Sequence, residues 1–355
     1  MRQMKNIYKI SVFVIAAAVL GCAKAVPEGT NDAAKRYFDA WLALNEPDAE
    51  RVGRGTYVLS EEIVNEDPDG IIVEKDGFVI VRFKTTSLEG NILEYTDREV
   101  AEQLGKYSKS SYYGTKIWTT TPETIRAGVY DALMGMKVGH KKRFIVPSWM
   151  MSYSNYPTEA EYLAQENEFT NTVYEVEIVD FAKNINDWQY EKIIEAINKP
   201  DFQNGAFTGT KVADSTSLGF YFKMLDKVES KKEFTKDTTF YINYTGSLLD
   251  IPEFSNGLMF DTTIEDLAKD NYLYSSSRTY EPSKVKWGEN FSEITLGGSS
   301  VVAGFAKTIW EMANCAPGTK AVGVFYSTLG YTYNGKGSIP PYAPLVFEIE
   351  IVEEP

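Results

Sequence analysis

The chain of 355 residues contains one histidine and two cysteines. Any Ser-His-Asp or Cys-His catalyst would have to turn on His140, and a structural zinc site cannot be assembled from these ligands alone. Positive charge is scarce as well: 36 Lys and Arg face 50 Asp and Glu, a net charge of −14. A surface this acidic does not attract a phosphate backbone, so nucleic acid is not an expected partner. Neither the Gly-x-x-x-x-Gly-Lys-Ser/Thr phosphate loop nor the Gly-x-Gly-x-x-Gly dinucleotide fingerprint occurs; Gly335-Lys336-Gly337-Ser338 does not complete the first. No cofactor and no metal are expected. The long apolar run Ile10 to Leu20 falls short of a comfortable membrane span. Apolar residues make up 43% and aromatics 14%, which is enough for packed cores, and the length suits two domains.

The first residues read as an address. Arg2, Lys5 and Lys9 precede the apolar run, which ends in Val19-Leu20-Gly21-Cys22. This ending resembles a bacterial lipoprotein signal, which implies that residues 1–21 are removed and that Cys22 is the lipid attachment site. The alternative is an ordinary signal peptide that happens to end near a Cys. Removal takes away three positive charges and no negative ones, from −14 to −17. The resemblance implies an exported protein, lipid-anchored to the cell envelope at the outer membrane and facing the periplasm. Cys315 is then without an intrachain partner and reads as a half-buried loop thiol.

Residues 22–50 read as an anchor spacer followed by a short helix. Ala34, Tyr37, Phe38, Trp41 and Leu44 recur at helical spacing before Pro47, a pattern suited to docking on the body. Strand patterns appear at Phe78–Phe83, Lys142–Val146 and Tyr174–Val179, the last alternating apolar with charged residues as an antiparallel strand with one wet face requires. Residues 184–200 change to helical periodicity through Trp188, Tyr190, Ile193, Ile194 and Ile197, and read as a linker helix ended by Pro200. Strands resume at Leu218–Leu225 and Thr239–Leu248 and end with Leu345–Ile351.

The halves rhyme. Ala127-Gly128-Val129 precedes Met136 by the spacing at which Ala303-Gly304-Phe305 precedes Met312. Tyr174-Glu-Val-Glu-Ile-Val-Asp180 closes one half and Phe347-Glu-Ile-Glu-Ile-Val-Glu353 the other. Two matches in one order point to a duplicated domain.

In the second half the motifs come in a telling order: Tyr244-Thr245-Gly246 at the end of a strand, then Met259-Phe260-Asp261, Leu296-Gly297, Val301-Val302-Ala303-Gly304-Phe305, Leu329-Gly330-Tyr331, and Ile339-Pro340-Pro341-Tyr-Ala343-Pro-Leu345-Val346-Phe347. The set resembles the FK506-binding-protein (FKBP) type of peptidyl-prolyl isomerase over residues 213–355. The resemblance implies an α+β fold of two FKBP-like domains, 53–182 and 213–355, each a twisted antiparallel sheet wrapped around a short helix. It implies a pocket lined by Tyr244, Phe260, Asp261, Val301, Val302, Phe305, Tyr331, Ile339 and Phe347, with the helix near Ala303–Met312. Departures are visible. Phe305 stands where the family places Trp on the pocket floor, Ser292 aligns with an aromatic position that Phe291 misses by one, and residues 265–290 read as an inserted flap.

Such a pocket suits a chain poor in His. Rotating a prolyl amide breaks no bond and needs no nucleophile or metal, only relief of a barrier of about 20 kcal/mol. By resemblance, the Val302 N–H donates to the substrate carbonyl, Asp261 positions Tyr244, Tyr331 holds the substrate backbone, and Phe260, Phe305 and Phe347 grip the ring. The expected partners are unfolded or proline-containing polypeptides and, through Cys22, a membrane; the alternative is a noncatalytic peptide-binding module or holdase on the same fold, or a surface component recognising an external polymer. The first half reads as a degenerate copy. Phe83 replaces the pocket Tyr, Leu93-Glu94 the Phe-Asp pair, Val129 the floor and Arg126 an apolar wall, with the pocket expected to be lost.

Overall fold

The computed structural model describes residues 31–65, 69–166, 169–198, 219–254 and 257–355. The signal segment, Cys22, Pro200 and residues 213–218 lie outside them. Helix α1 (Asp32–Asn45) docks as its apolar stripe requires: Phe38 is fully buried, edge-on to Trp149 at 5.6 Å and tilted against Tyr57 at 5.5 Å. The Asn31 amide ties its start to the body by donating to the carbonyls of Leu163 and Gln165.

Among the described residues the strands form two antiparallel sheets. The first comprises β1 (Glu50–Val52), β2 (Thr56–Ile63), β3 (Phe78–Thr86), β4 (Ile92–Tyr95), β5 (Lys116–Thr119), β6 (His140–Val146) and β7 (Thr172–Ala182). Its order is β1-β2-β6-β7-β3-β4, with β5 also on β3. It starts at Glu50, three residues before the boundary read from sequence. Helices α2 (Arg98–Gln103), α3 (Ala127–Leu133) and α4 (Glu159–Leu163) complete this unit. Helix α5 (Ile185–Ile197) leads towards the second sheet, made of β8 (Phe220–Asp226), β9 (Thr239–Leu248), β10 (Met259–Thr262), β11 (Ser283–Lys286), β12 (Thr295–Leu296), β13 (Ser299–Ser300), β14 (Lys320–Phe325) and β15 (Leu345–Val352). Its order is β13-β12-β11-β9-β15-β14-β8, with β10 also on β9. The run β2-β6-β7-β3 in the first sheet corresponds strand for strand to β8-β14-β15-β9 in the second.

Helix α6 (Glu265–Asp270) flanks this sheet, and helix α7 (Ala303–Trp310) lies against its inner face. The approach is close enough to demand glycine on both partners. A Cβ on Gly304 would run into the Phe325 ring, and one on Gly323 into the Thr308 hydroxyl. That hydroxyl donates to the Gly304 carbonyl at 2.8 Å, closing the contact from the helix side.

The expected strand alternation resolves into two cores. In β3, Val79, Val81 and Phe83 face the first core, while Ile80 points the other way into the second. Ile80 and Ile117 thereby join α5 and the second sheet in one apolar cluster, burying the first sheet on both faces at that point. Helix α5 is thus more than a spacer: Ile185, Trp188, Ile193, Ala196 and Ile197 are buried in this cluster. The fully buried Gln189 accepts from the Ser327 N–H at 2.7 Å and donates to the Ser327 hydroxyl at 3.1 Å. The short 3-10 turn Pro252–Phe254 forms the other fastening. The Glu253 carbonyl receives the Tyr112 hydroxyl (2.9 Å), the Thr115 hydroxyl (2.8 Å) and the Thr115 N–H (3.2 Å), all from the first unit. Its carboxylate pairs with Lys192 of α5 at 2.7 Å. Cys315 is buried rather than half-buried, and His140 pairs with Glu61 at 2.9 Å.

Replacing Gln189 with Leu keeps the volume but strands the Ser327 N–H in a dry interface. The expected loss is about 1–3 kcal/mol of unfolding free energy, read from the shift of the denaturant midpoint. An unchanged midpoint would show that α5 does not bind the second sheet through this pair.

Candidate functional site

A cavity of about 640 Å³ opens on the inner side of the second sheet. All nine residues singled out from the sequence line it. Tyr244 comes from β9, Phe260 and Asp261 from the adjoining β10, and Val301 and Val302 from the turn into α7. Phe305 lies on the first turn of that helix, Tyr331 and Ile339 on the loop after β14, and Phe347 on β15. Their convergence results from the pairing. Strand β9 carries β10 on one side and β15 on the other, so Tyr244, Asp261 and Phe347 are neighbours in the sheet although far apart in sequence.

The walls are aromatic and interlocked. Phe305 meets Tyr244 edge-on at 5.3 Å and Phe347 at 4.9 Å; Phe260 meets Phe347 edge-on at 5.6 Å; Phe325 stacks parallel behind Phe347 at 5.8 Å. These are favourable ring geometries, so the floor is held without Trp. The helix carries its Trp at the other end, where Trp310 stacks on Trp287 at 4.6 Å. Phe291 is not part of the lining; it packs on the second core, with Lys307 over its ring at 5.2 Å.

One polar chain crosses this apolar surface. The Tyr244 hydroxyl donates to Asp261 Oδ2 at 2.8 Å, and Arg278 Nη1 donates to Asp261 Oδ1 at 2.6 Å. Burial, and then the nearby Asp261 charge, holds the Tyr244 hydroxyl protonated well above the usual tyrosine range. Burial and the same carboxylate push Tyr331 in the same direction. Asp261 is placed by a backbone clasp: the Tyr244 N–H donates to Thr263 Oγ1 at 2.9 Å, and the Thr263 N–H returns to the Tyr244 carbonyl at 3.0 Å. Val302 is the N-cap residue of α7, so the positive end of the helix faces the cavity.

Arg278, Leu296 and Lys336 also line the cavity and were not among the nine residues assigned to it from the sequence. Arg278 belongs to the segment read as an inserted flap, and here the structure corrects the reading. Residues 283–286 are β11, a full member of the sheet, leaving a flap of 265–282. Nor is the flap peculiar to the second unit. Tyr107-Ser108-x-Ser110-x-x-Tyr113 and Tyr274-Ser275-x-Ser277-x-x-Tyr280 stack their tyrosines at 5.5 Å in both cases. In each, the second Tyr hydroxyl accepts from the first Ser N–H, at 3.1 and 2.9 Å, and the two Ser hydroxyls pair, at 3.0 and 2.8 Å. The serine-tyrosine spacing was the signal that sequence reading passed over.

In the first unit the cavity expected to be lost is present, at about 530 Å³. Phe83 and Thr96 repeat the backbone clasp at 2.9 Å in both directions. This sets Glu94 where Asp261 stands; Ile125, Arg126 and Val129 line the wall as Val301, Val302 and Phe305 do in the other unit. Aromatic surface is regained elsewhere, from Trp118, Tyr153 and Tyr174, and from Tyr333 and Tyr342 of the second unit. A smaller Val129 at the floor leaves room that these rings and Arg126 do not fill.

No model of a protein family matches the sequence, and no curated protein does. Among solved structures, the chain is similar to the three FKBP domains of wheat FKBP73, at 15% identity over 86% of this chain and 98% of that one, with a TM-score of 0.28. It is similar to a peptidyl-prolyl cis-trans isomerase from Pseudomonas syringae, at 20% identity over 47% of this chain and 91% of that one, with a TM-score of 0.29. It is also similar to the N-terminal domain of FKBP42 from Arabidopsis thaliana, at 15% identity over 41% and 94%, with a TM-score of 0.26.

The tyrosines predict an alkaline limit. Tyr244 and Tyr331 are raised, and burial pushes Tyr174 up to about 12. The unfolded chain releases these protons from about pH 10, so the stability they carry is complete below that pH and is lost as pH rises through the folded values. The denaturant midpoint should fall between about pH 10 and 12, and less steeply in Tyr244→Phe. A midpoint that is flat across this window would mean these hydroxyls are open to water.

Proposed function

We propose that the second unit is a peptidyl-prolyl cis-trans isomerase of the FKBP type, acting on proline-containing, incompletely folded polypeptides. The single observation that carries this reading is the meeting of nine motif residues, scattered over about a hundred positions, around one apolar aromatic cavity crossed by the Tyr244–Asp261 hydrogen bond. The chemistry fits what the cavity offers. A planar prolyl amide is strongly dipolar, and twisting it removes conjugation and charge separation, so a dry aromatic site disfavours the planar ground state more than the twisted transition state. The proline ring is gripped by Phe260, Phe305 and Phe347. The Val302 N–H, at the positive end of α7, donates to the substrate carbonyl, and Tyr331 holds the neighbouring backbone through its hydroxyl. Asp261 fixes Tyr244, so the carbonyl meets an ordered wall as it turns.

In this reading the first unit is an FKBP-like relative without the Tyr–Asp pair, and α5 joins the two. The lipoprotein-like Cys22 ending supports an exported chain anchored at the outer membrane on its periplasmic side, where slow prolyl rotation limits the folding of newly arrived proteins. A peptide-binding module without turnover is the second reading. It is favoured by Arg278, which reaches from the flap and takes the Asp261 oxygen that Tyr244 leaves free.

Magnetisation-exchange NMR on a short Leu-Pro peptide separates the two. The chain should accelerate exchange; Phe260→Ala should lower kcat/KM at least about tenfold, equivalent to ~1.4 kcal/mol of transition-state binding, with its fold intact by circular dichroism. Tyr331→Phe should lower it by less. Peptide binding without acceleration would select the second reading, and full activity in folded Phe260→Ala would reject the site.

A further inference from the structure

The two cavities have a common neighbour. A third concavity, of about 670 Å³, lies between them and shares Lys336, Gly337, Ser338 and Ile339 with the second-unit cavity. On its other side it shares Lys116 and Pro341 with the first-unit cavity. The three therefore adjoin in a row across both units, a segmented groove whose shared walls come largely from a single loop, residues 331–342. Tyr331 and Ile339 face the second-unit cavity, whereas Tyr333, Pro341 and Tyr342 face the first. The loop is not a loose cover: Tyr342 is seated edge-on against Phe78 of β3 at 5.3 Å, and its N–H donates to the Thr332 carbonyl at 2.8 Å.

The groove changes character along its length. Its ends are aromatic, whereas its middle sets Ser110, Ser111, Asn334, Gly337 and Ser338, small or polar groups able to hydrogen-bond a peptide backbone, beside the apolar Leu273, Pro340 and Pro341. Two lysines mark the junctions. Lys116 lies over the Phe83 ring at 5.3 Å and Lys336 over the Tyr331 ring at 5.5 Å; among the described residues neither has a carboxylate at ion-pair distance. Arg126 likewise lacks a carboxylate at ion-pair distance among the described residues, so three such cations line the groove against one carboxylate without an ion pair, Glu94; in a chain of net charge −14, that local positive surplus marks a place for an acidic group of an incoming ligand.

We infer that the groove holds one extended polypeptide across both units. Its prolyl segment sits in the second-unit cavity, a carboxylate-bearing stretch passes Lys336 and Lys116, and an aromatic side chain is received by Trp118, Tyr153 and Tyr174 of the first-unit cavity. This rests on the prolyl reading of the second-unit cavity and adds to it a second anchor point on the client. Joining two anchors through a linker of suitable length makes the second contact intramolecular, which multiplies affinity without any new surface.

The test uses the full chain and fluorescence anisotropy with labelled peptides of three kinds: a proline-only peptide, an aromatic-only peptide, and a series joining Leu-Pro to Phe through Gly/Ser/Glu linkers of increasing length. The joined peptides should show one optimal linker length, binding about tenfold or more tighter than the proline-only peptide. Trp118→Ala should abolish that gain while leaving exchange of the proline-only peptide as it was. Tyr153→Ala, at a side chain half-exposed to solvent, supplies a second variant that does not disturb the core. If the proline-only peptide is not bound, the prolyl reading fails and the bridging falls with it. If it is bound but no linker length adds affinity, or the gain survives in both folded variants, the bridging alone is overturned.

Discussion

The contact on which this architecture depends is the seating of α7 on its sheet. Two glycines, Gly304 on the helix and Gly323 on β14, bring helix and sheet so close that a single methyl on either would collide with Phe325 or Thr308. The shape of the cavity is set by that closeness. It holds Phe305 at a height where its ring meets Tyr244 and Phe347 edge-on, and it points the helix N-terminus at Val302 into the cavity. A helix standing one methyl further off would leave the aromatic floor unsupported and the N-terminal dipole aimed past the ligand. The site is therefore a product of packing density, and its polar members are arranged on a frame that dispersion and burial have already fixed.

The duplicated unit shows which parts of that frame are transferable. The Thr clasp, the helix against the sheet and the paired tyrosines of the flap recur in both copies with nearly the same distances. The groups that differ are those facing the cavity: Tyr244 against Phe83, Asp261 against Glu94, Phe305 against Val129, Val302 against Arg126. Arg126 is itself anchored, with Nη1 donating to the Met151 carbonyl at 2.6 Å and its guanidinium lying on Tyr153 at 5.0 Å. One scaffold thus presents two aromatic recesses edged by charge, the carboxylate being tied to Tyr244 and Arg278 in one copy and facing a phenylalanine in place of that tyrosine in the other.

Much of this was legible in the sequence, for physical reasons. The strands of the second unit alternate cleanly, the helix begins after a β-region residue and has a compact apolar face, and the motif residues sit at the ends of elements, where local pattern fixes position. All nine proposed residues share one cavity because strand pairing, itself readable from alternation, brings their elements together. What escaped notice depends on distance in the chain. The first-unit cavity is closed by Tyr333 and Tyr342, about 250 residues from Phe83, and no local pattern announces that meeting. Arg278 lies within the stretch read as an inserted flap, where nothing local points to its partner Asp261. Ile80 lies within the strand pattern Phe78–Phe83, yet it serves the neighbouring core, because alternation tells which residues share a face and not what covers that face.

The Glu253 junction behaves differently under different kinds of sequence change. The acceptor that gathers the Tyr112 hydroxyl and both groups of Thr115 is a main-chain carbonyl, present whatever side chain residue 253 carries. Substitution there gives up the Lys192 ion pair and leaves the fastening of the first unit in place. A one-residue insertion or deletion in the turn Pro252–Phe254 has the opposite effect: the carbonyl is turned away, both Thr115 donors lose their acceptor together, and the Tyr112 hydroxyl is left with the Thr115 carbonyl of its own unit at 2.6 Å. The bond between the two units is thus tolerant of the alphabet and intolerant of the count, and among related chains the length of this turn should hold steadier than its letters.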